Sequence, residues 1–291
     1  MLATRIAAAM AAAVLSAAVF AQAARAQALE GRLKRIAETK TIAIAYRADA
    51  TPFSFVGEKK EPVGYTIDLC KRVVNAIESQ LKIQGLKVNW VPVTVQSRFD
   101  AVAGGRADME CGSSTITLGR MKQVDFSSIV FVEGTGLLVK KASGVRSLSD
   151  MAGMKIAVVG GTTNERALAD QLKLRRLSAS LLPFASREEA LAALEDGRAD
   201  GFASDKLLLL GVSKSAKDAS ALALLPDQLS FEPYGIVVPR NDSAFRLAVN
   251  AGLAQVYGGQ EIVEIFRRWF GVLGRPSPIL EAAYELGAIP E

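Results

Sequence analysis

The stretch Asp108-Met109-Glu110-Cys111-Gly112-Ser113-Ser114-Thr115-Ile116-Thr117-Leu118-Gly119-Arg120 reads as a short buried strand ending at Gly112, a hydroxyl-rich turn, and the start of a helix carrying an arginine. Strand, polar turn and helix in that order are the repeating unit of an α/β sheet. Ser113, Thr115 and Thr117 offer side-chain oxygens, and a helix beginning here would aim its positive end at the same spot. Arg120 adds a planar, two-pronged donor suited to a carboxylate. Taken alone, the stretch fits an anion cradle and an ordinary helix cap with a surface arginine equally well.

The same unit recurs on either side. A short polar helix over 30–40 precedes a buried strand over 41–46, and Arg47 stands at the strand's end. A cation at the carboxyl end of such a strand lies where α/β sheets bind ligands, the alternative being a loop arginine in solvent. Gly64-Tyr65 opens a helix through Gln80, a second strand covers 87–93, and Thr94-Val95-Gln96-Ser97-Arg98 caps a helix through Ala103. Beyond the quoted stretch, the apolar run 129–139, broken by Gly134 and Gly136, reads as a connecting strand. The pattern then restarts with a helical turn at 148–153 and a strand at 154–159. In the turn that follows, Thr162 is answered by Glu165 in a capping box, and a helix runs to Arg176. A strand over 179–184, a helix capped by Ser186, and a strand over 201–204 with Asp205 at its end complete this half. A second connecting strand, 234–239, leads to helices at 243–257 and 260–269. The fold class is α/β with a mainly parallel sheet, in two similar lobes.

Residues 1–28 form a separate object. Arg5 precedes an apolar run over 6–21 interrupted only by Ser16, and Ala24-Arg25-Ala26 and Ala26-Gln27-Ala28 supply small residues for cleavage. This is the layout of an export signal, too short and too rich in alanine for a bilayer span. Removing it takes Arg5 and Arg25 away, lowering the formal net charge from +5 to +3. Basic and acidic residues interleave along the remainder with no basic stripe beside aromatics, which excludes a nucleic-acid surface. With no histidine and two cysteines there is no zinc cluster. Cys70 lies on the apolar face Leu69, Cys70, Val73, Val74, Ile77 of a predicted helix, and Cys111 closes a strand that this helix would cover. One disulfide and two buried thiols both fit.

Gly64-Tyr65-Thr66-Ile67-Asp68-Leu69, Glu110-Cys111-Gly112-Ser113 with Arg120, Asp125-Phe126-Ser127, Gly161-Thr162-Thr163, Asp205 and Tyr234-Gly235-Ile236 occur in that order. Together they resemble the extracytoplasmic solute-binding proteins of polar amino-acid ABC importers (family 3), over nearly all of 30–271. The Glu-Cys-Gly-Ser stretch is most similar to the glutamate/aspartate-binding branch. The resemblance implies the two-lobed type II periplasmic-binding-protein fold. Residues 29–131 and 236–291 would form lobe one, 132–235 lobe two with its two hinge strands, and the cleft would close over its ligand.

Carried onto this sequence, the resemblance gives Arg120 the α-carboxylate with Ser113, Thr115 and Thr163, and Asp205 the α-ammonium. Arg47 and Arg98 would meet the side chain. Two positions depart from the family's pattern: Val95 stands where a hydroxyl is expected, and Arg187 where a histidine is. Four guanidiniums against Asp205 point to glutamate or aspartate, with glutamine or asparagine fitting if Arg98 or Arg187 turns outward. The resemblance further implies a periplasmic monomer without cofactor that delivers its ligand to a membrane permease. The fold also hosts dehydratases acting on cyclic acids. That reading needs a general acid or base, for which Asp205, Glu110 and Asp49 are the candidates in the absence of histidine.

Overall fold

The computed structural model describes residues 29–290, so the reading of 1–28 as an export signal lies outside the described residues. Helix α1 (Gly31–Thr39) leads into β1 (Thr41–Arg47). Three short strands follow, β2 (Asp49–Ala50), β3 (Ser54–Val56) and β4 (Pro62–Val63), pairing antiparallel in a small sheet of their own. Next come α2 (Tyr65–Gln80), β5 (Lys87–Val93), α3 (Arg98–Ala103) and β6 (Met109–Glu110). Because β1 pairs parallel with both β5 and β6, each return passes over the sheet through a helix. Helix α2 lies on the sheet by its buried stripe Ile67, Leu69, Cys70, Val73, Val74 and Ile77.

The chain leaves through β7 (Val124–Glu133) and continues as β8 (Thr135–Lys140), two strands where one was expected over 129–139. Gly134 makes the break. A Cβ there would press on the Ser230 carbonyl and the Gln228 side chain, so only glycine lets the outgoing and returning segments pass this closely. Strand β9 (Lys155–Val159), α4 (Thr163–Arg175), β10 (Ser180–Phe184), α5 (Arg187–Glu195) and β11 (Gly201–Asp205) repeat the plan. Then α6 (Lys206–Ser213) and β12 (Leu222–Leu224) precede the return through β13 (Glu232–Pro239). Helices α7 (Ser243–Tyr257), α8 (Glu261–Phe270) and α9 (Pro278–Gly287) follow.

Two five-stranded sheets result, ordered β5-β1-β6-β13-β7 and β10-β9-β11-β8-β12. In each, the three strands joined by helices are parallel, as the alternating pattern predicts. The strands that carry the chain between the sheets pair antiparallel with them and with each other, because one leaves while the other comes back. The two layers also interlock. Val95, in the loop after β5, is buried in the apolar cluster of the second sheet with Leu138, Val159 and Leu191. Leu208 of α6 is buried reciprocally in the first, with Phe53, Phe131 and Tyr234.

The quoted stretch differs from expectation in one respect. No α-helix follows Thr117; a single 3₁₀ turn, Arg120–Lys122, fills the gap before β7 starts at Val124. Four residues leave no room for a second turn, so no helix dipole adds to the cradle. The Thr117 hydroxyl instead fixes the turn by accepting from the Arg120 N–H at 3.1 Å.

Cys70 on α2 and Cys111 just after β6 are buried and joined by a disulfide, with their Cα atoms 6.4 Å apart. The bond pins the helix to the strand end from which the hydroxyl-rich turn departs. Its ends are 41 residues apart in sequence, so cross-linking removes a mid-sized loop from the unfolded ensemble. Replacing both cysteines by serine is expected to lower the unfolding free energy by about 2–4 kcal/mol. A urea midpoint equal to that of the parent would show that the bond contributes nothing.

Candidate ligand-binding site

Six strands, three parallel in each sheet, deliver polar groups to a common edge. Arg47 ends β1, Arg98 opens α3 after β5, and Ser113 and Thr115 lie in the turn after β6. Thr163 opens α4 after β9, Arg187 opens α5 after β10, and Asp205 ends β11. The carboxyl ends of parallel strands all face one way, which is why groups so far apart in sequence meet. Arg47, Arg98, Ser113, Thr115, Arg187 and Asp205 are buried, while Arg120 and Thr163 are half-buried. An opening of about 670 Å³ reaches Arg120 and Thr163, and is lined also by Thr117, Gly161, Thr162 and Arg166. Neither Arg98 nor Arg187 turns to solvent; each is 3% exposed.

Local hydrogen bonds set the arginines. The Ser54 hydroxyl accepts from the Arg47 N–H at 3.0 Å and donates to the Arg47 carbonyl at 3.1 Å, locking β3 against the end of β1. Arg120 Nη1 donates to the Thr115 carbonyl at 2.7 Å, which aims the guanidinium back at the turn. The Phe99 ring lies beneath both Arg98 and Arg120, 4.8 and 5.0 Å from the ring centre. Across the gap between the sheets, the Thr115 and Thr163 hydroxyls share a hydrogen bond of 3.2 Å. On Thr162, the side chain accepts from the Glu165 N–H, but Glu165 reaches back to the Gly161 N–H instead of that of Thr162, leaving the expected capping box half-made.

The balance of four guanidiniums against Asp205 alone is corrected by two further carboxylates. Asp49 accepts from Arg47 Nη2 at 2.6 Å and from Arg187 Nη1 at 3.1 Å. Glu110 is fully buried under the turn: a Cβ on Gly112 would collide with its carboxylate, and Ser114 Oγ donates to its Oε2 at 2.7 Å. Burial pushes the Glu110 carboxyl up, with Arg98 and Ser114 opposing. Burial pulls the Arg47 guanidinium down to about 10, aided by Arg187 and opposed by Asp49. Arg98 is also lowered to about 10, by burial and then by Arg120. Both stay charged at neutral pH.

The opposite end is acidic. Asp205 Oδ1 accepts from Asn164 Nδ2 at 3.0 Å, and the same amide donates to Thr135 Oγ1 at 2.8 Å. Glu133 and Glu232 face one another across the β7–β13 pair. Burial lifts the Asp205 carboxyl to about 6, with Glu232 adding to the rise, and lifts Glu133 to about 7, with Asp205 adding. Among the described residues, Arg47 Nη1 and Ser113 Oγ are buried without a hydrogen-bond partner, while the Tyr234 hydroxyl lies against Asp205. Buried donors of this kind are costly unless a further group satisfies them, so the edge is built to receive one.

Asn164, Tyr234 and Glu232 were not read from the sequence as site residues, and Asp49 was read only as a candidate acid or base, not as a partner of Arg47 and Arg187. Asn164 follows Thr163 at a helix start, a position that sequence reading could have flagged. The others gain meaning only once the sheets face each other.

Residues 42–272 match the model of the bacterial extracellular solute-binding proteins, family 3. The L-glutamate/L-aspartate-binding protein of Pseudomonas aeruginosa is 37% identical over 243 residues, covering 83% of this chain and 80% of the relative. The glutamate/aspartate import solute-binding protein of Salmonella typhimurium is 32% identical over 238 residues, covering 82% and 79%. Among solved structures, the ancestral amino acid-binding protein AncCDT-1, a precursor of cyclohexadienyl dehydratase, matches with a TM-score of 0.71 at 29% identity, covering 82% of this chain and 100% of that one. With two facing sheets, one shared edge of buried charge and a family match that spans both, the chain belongs to the bacterial extracellular solute-binding proteins, family 3.

Proposed function

We propose that the protein captures free glutamate or aspartate in the periplasm and delivers it to the permease of an ABC importer. The observation that carries this reading is the split of the buried edge into a cationic and an acidic end, with Arg47 Nη1 and Ser113 Oγ left unpartnered. Arg120 takes the α-carboxylate, helped by Ser113, Thr115 and Thr163, and Asp205 takes the α-ammonium. Arg47, Arg98 and Arg187 meet the side-chain carboxylate. The names of the two curated relatives point to the same ligands.

Residues 29–131 and 236–291 act as one lobe and 132–235 as the other, hinged where the chain crosses near Gly134 and again ahead of Glu232. Closure is tied to the ligand because its two charges are desolvated together, which is tolerable only when each meets a counter-charge. A glutamine or asparagine ligand is the second reading, favoured by one observation: Asp49 already occupies Arg47 and Arg187. We read the protein as a receptor and not an enzyme. The two relatives are named as binding proteins, and of the carboxylates considered for acid–base work Asp49 is held by two arginines.

Titration calorimetry tests the ligand directly. Glutamate or aspartate is expected to bind more tightly than glutamine or asparagine, and glutamate binding no tighter than glutamine would overturn the acidic choice. Arg120→Ala is expected to weaken every amino acid by about a hundredfold or more, the loss that follows when a buried charge pair is cut. Near-parental affinity in that variant would remove Arg120 from the site.

A pH series tests Asp205. Burial lifts its carboxyl to about 6, and the ammonium binds the ionised state. Affinity is therefore flat above that value. Below it the carboxyl must first lose its proton, so affinity falls by up to about tenfold per pH unit. Binding at pH 5 then releases a proton, seen as an enthalpy that depends on the buffer. Equal affinity at pH 7.5 and pH 5 would overturn the assignment.

A further inference from the structure

Asp49 lies two residues beyond the end of β1, and β2 and β3 hold it in place through the Phe55 and Ser54 pairings. Its carboxylate accepts from Arg47, on its own side of the cleft, and from Arg187, which α5 brings from the opposite sheet, both through the same Oδ2. Among the described residues it is the one ion pair that links the two sheets' layers. The two arginines are 1% and 3% exposed, so each needs a counter-charge inside the closed cleft. Arg47 Nη1 and Nε, Arg98 Nε and Arg187 Nε have no partner among the described residues, so donors remain for a ligand's distal group. Those donors sit beside a carboxylate that already belongs to the protein.

We propose that Asp49 is a built-in counter-carboxylate. By bridging Arg47 and Arg187 it stands in for the distal carboxylate of an acidic ligand, and so sets how strongly the cleft separates acidic amino acids from their amides. The assignment rests on the function proposed above. Two consequences follow from the geometry. The cleft can shut over an uncharged side chain, because the cationic end brings its own anion. A second carboxylate pays a penalty at that end, since it approaches Asp49 as well as the arginines. Asp49 keeps its charge throughout: burial pushes its carboxyl up, and Arg187 and Arg47 together draw it below the ordinary range.

The test is Asp49→Asn, which keeps the shape and removes the charge. Dissociation constants for glutamate and glutamine are measured by calorimetry on the parent and the variant. The ratio of the glutamine constant to the glutamate constant is expected to rise by about tenfold or more in the variant. A residue with a merely structural role would weaken both ligands alike and leave that ratio unmoved, which would overturn the proposal. A ratio that falls would overturn it too. A parent protein that binds no amino acid would overturn the function proposed above and this proposal with it, whereas an unmoved ratio in a variant that still binds both ligands would overturn this proposal alone.

Discussion

Guanidinium groups enclosed together, away from water, set the terms for everything else in this protein. Arg47, Arg98 and Arg187 are buried and Arg120 is half-buried, each arriving at the cleft by its own loop or strand end. Like charges this close work against one another, and burial with mutual repulsion lowers Arg47 and Arg98 to about 10 without discharging them. The molecule must therefore supply anions or attract one. It does both: Asp49 bridges two of the arginines and Glu110 lies beneath the turn, while Arg47 Nη1 and Ser113 Oγ stay without a partner.

The acidic end mirrors this. Asp205, Glu133 and Glu232 gather where the chain crosses between sheets, and burial, with their proximity adding to it, raises Asp205 and Glu133. A site polarised in this way favours a molecule with opposite charges a few bonds apart, and fixes which way round it lies. The scaffold makes the polarity durable. The disulfide ties α2 to the end of β6, and Ser54 clamps the end of β1, so the turn and Arg47 both hang from fixed points.

Much of the fold was legible in the residues. Strands and helices alternate with clear polar turns, and Arg47, Arg98, Arg120, Thr163 and Asp205, which the family's pattern singles out, all stand at strand ends or in the loops and helix starts that follow them. What escaped reading had physical reasons. Strands β2, β3 and β4 are two or three residues long, too short for alternation to register. Helix α6 starts on the residue after β11, with Asp205 serving as both strand end and helix cap, so no break marks the boundary. Helix α9 did carry a signal, Ser277 followed by Pro278 at its first position, which went unused. Asp49 could not have been found by spacing, because its second partner lies 138 residues away on the other sheet.

Val95 illustrates what a departure from a family's pattern can achieve. Where the family's pattern has a hydroxyl, a valine enters the apolar cluster of the opposite sheet, and Leu208 answers from the other direction. Closure of the lobes over a small polar solute thus also withdraws oily surface from water. The binding enthalpy of such a receptor drifts downward on warming, a negative heat capacity larger than an amino acid's own surface would produce. The calorimetric trace would carry the imprint of protein meeting protein as much as of protein meeting solute.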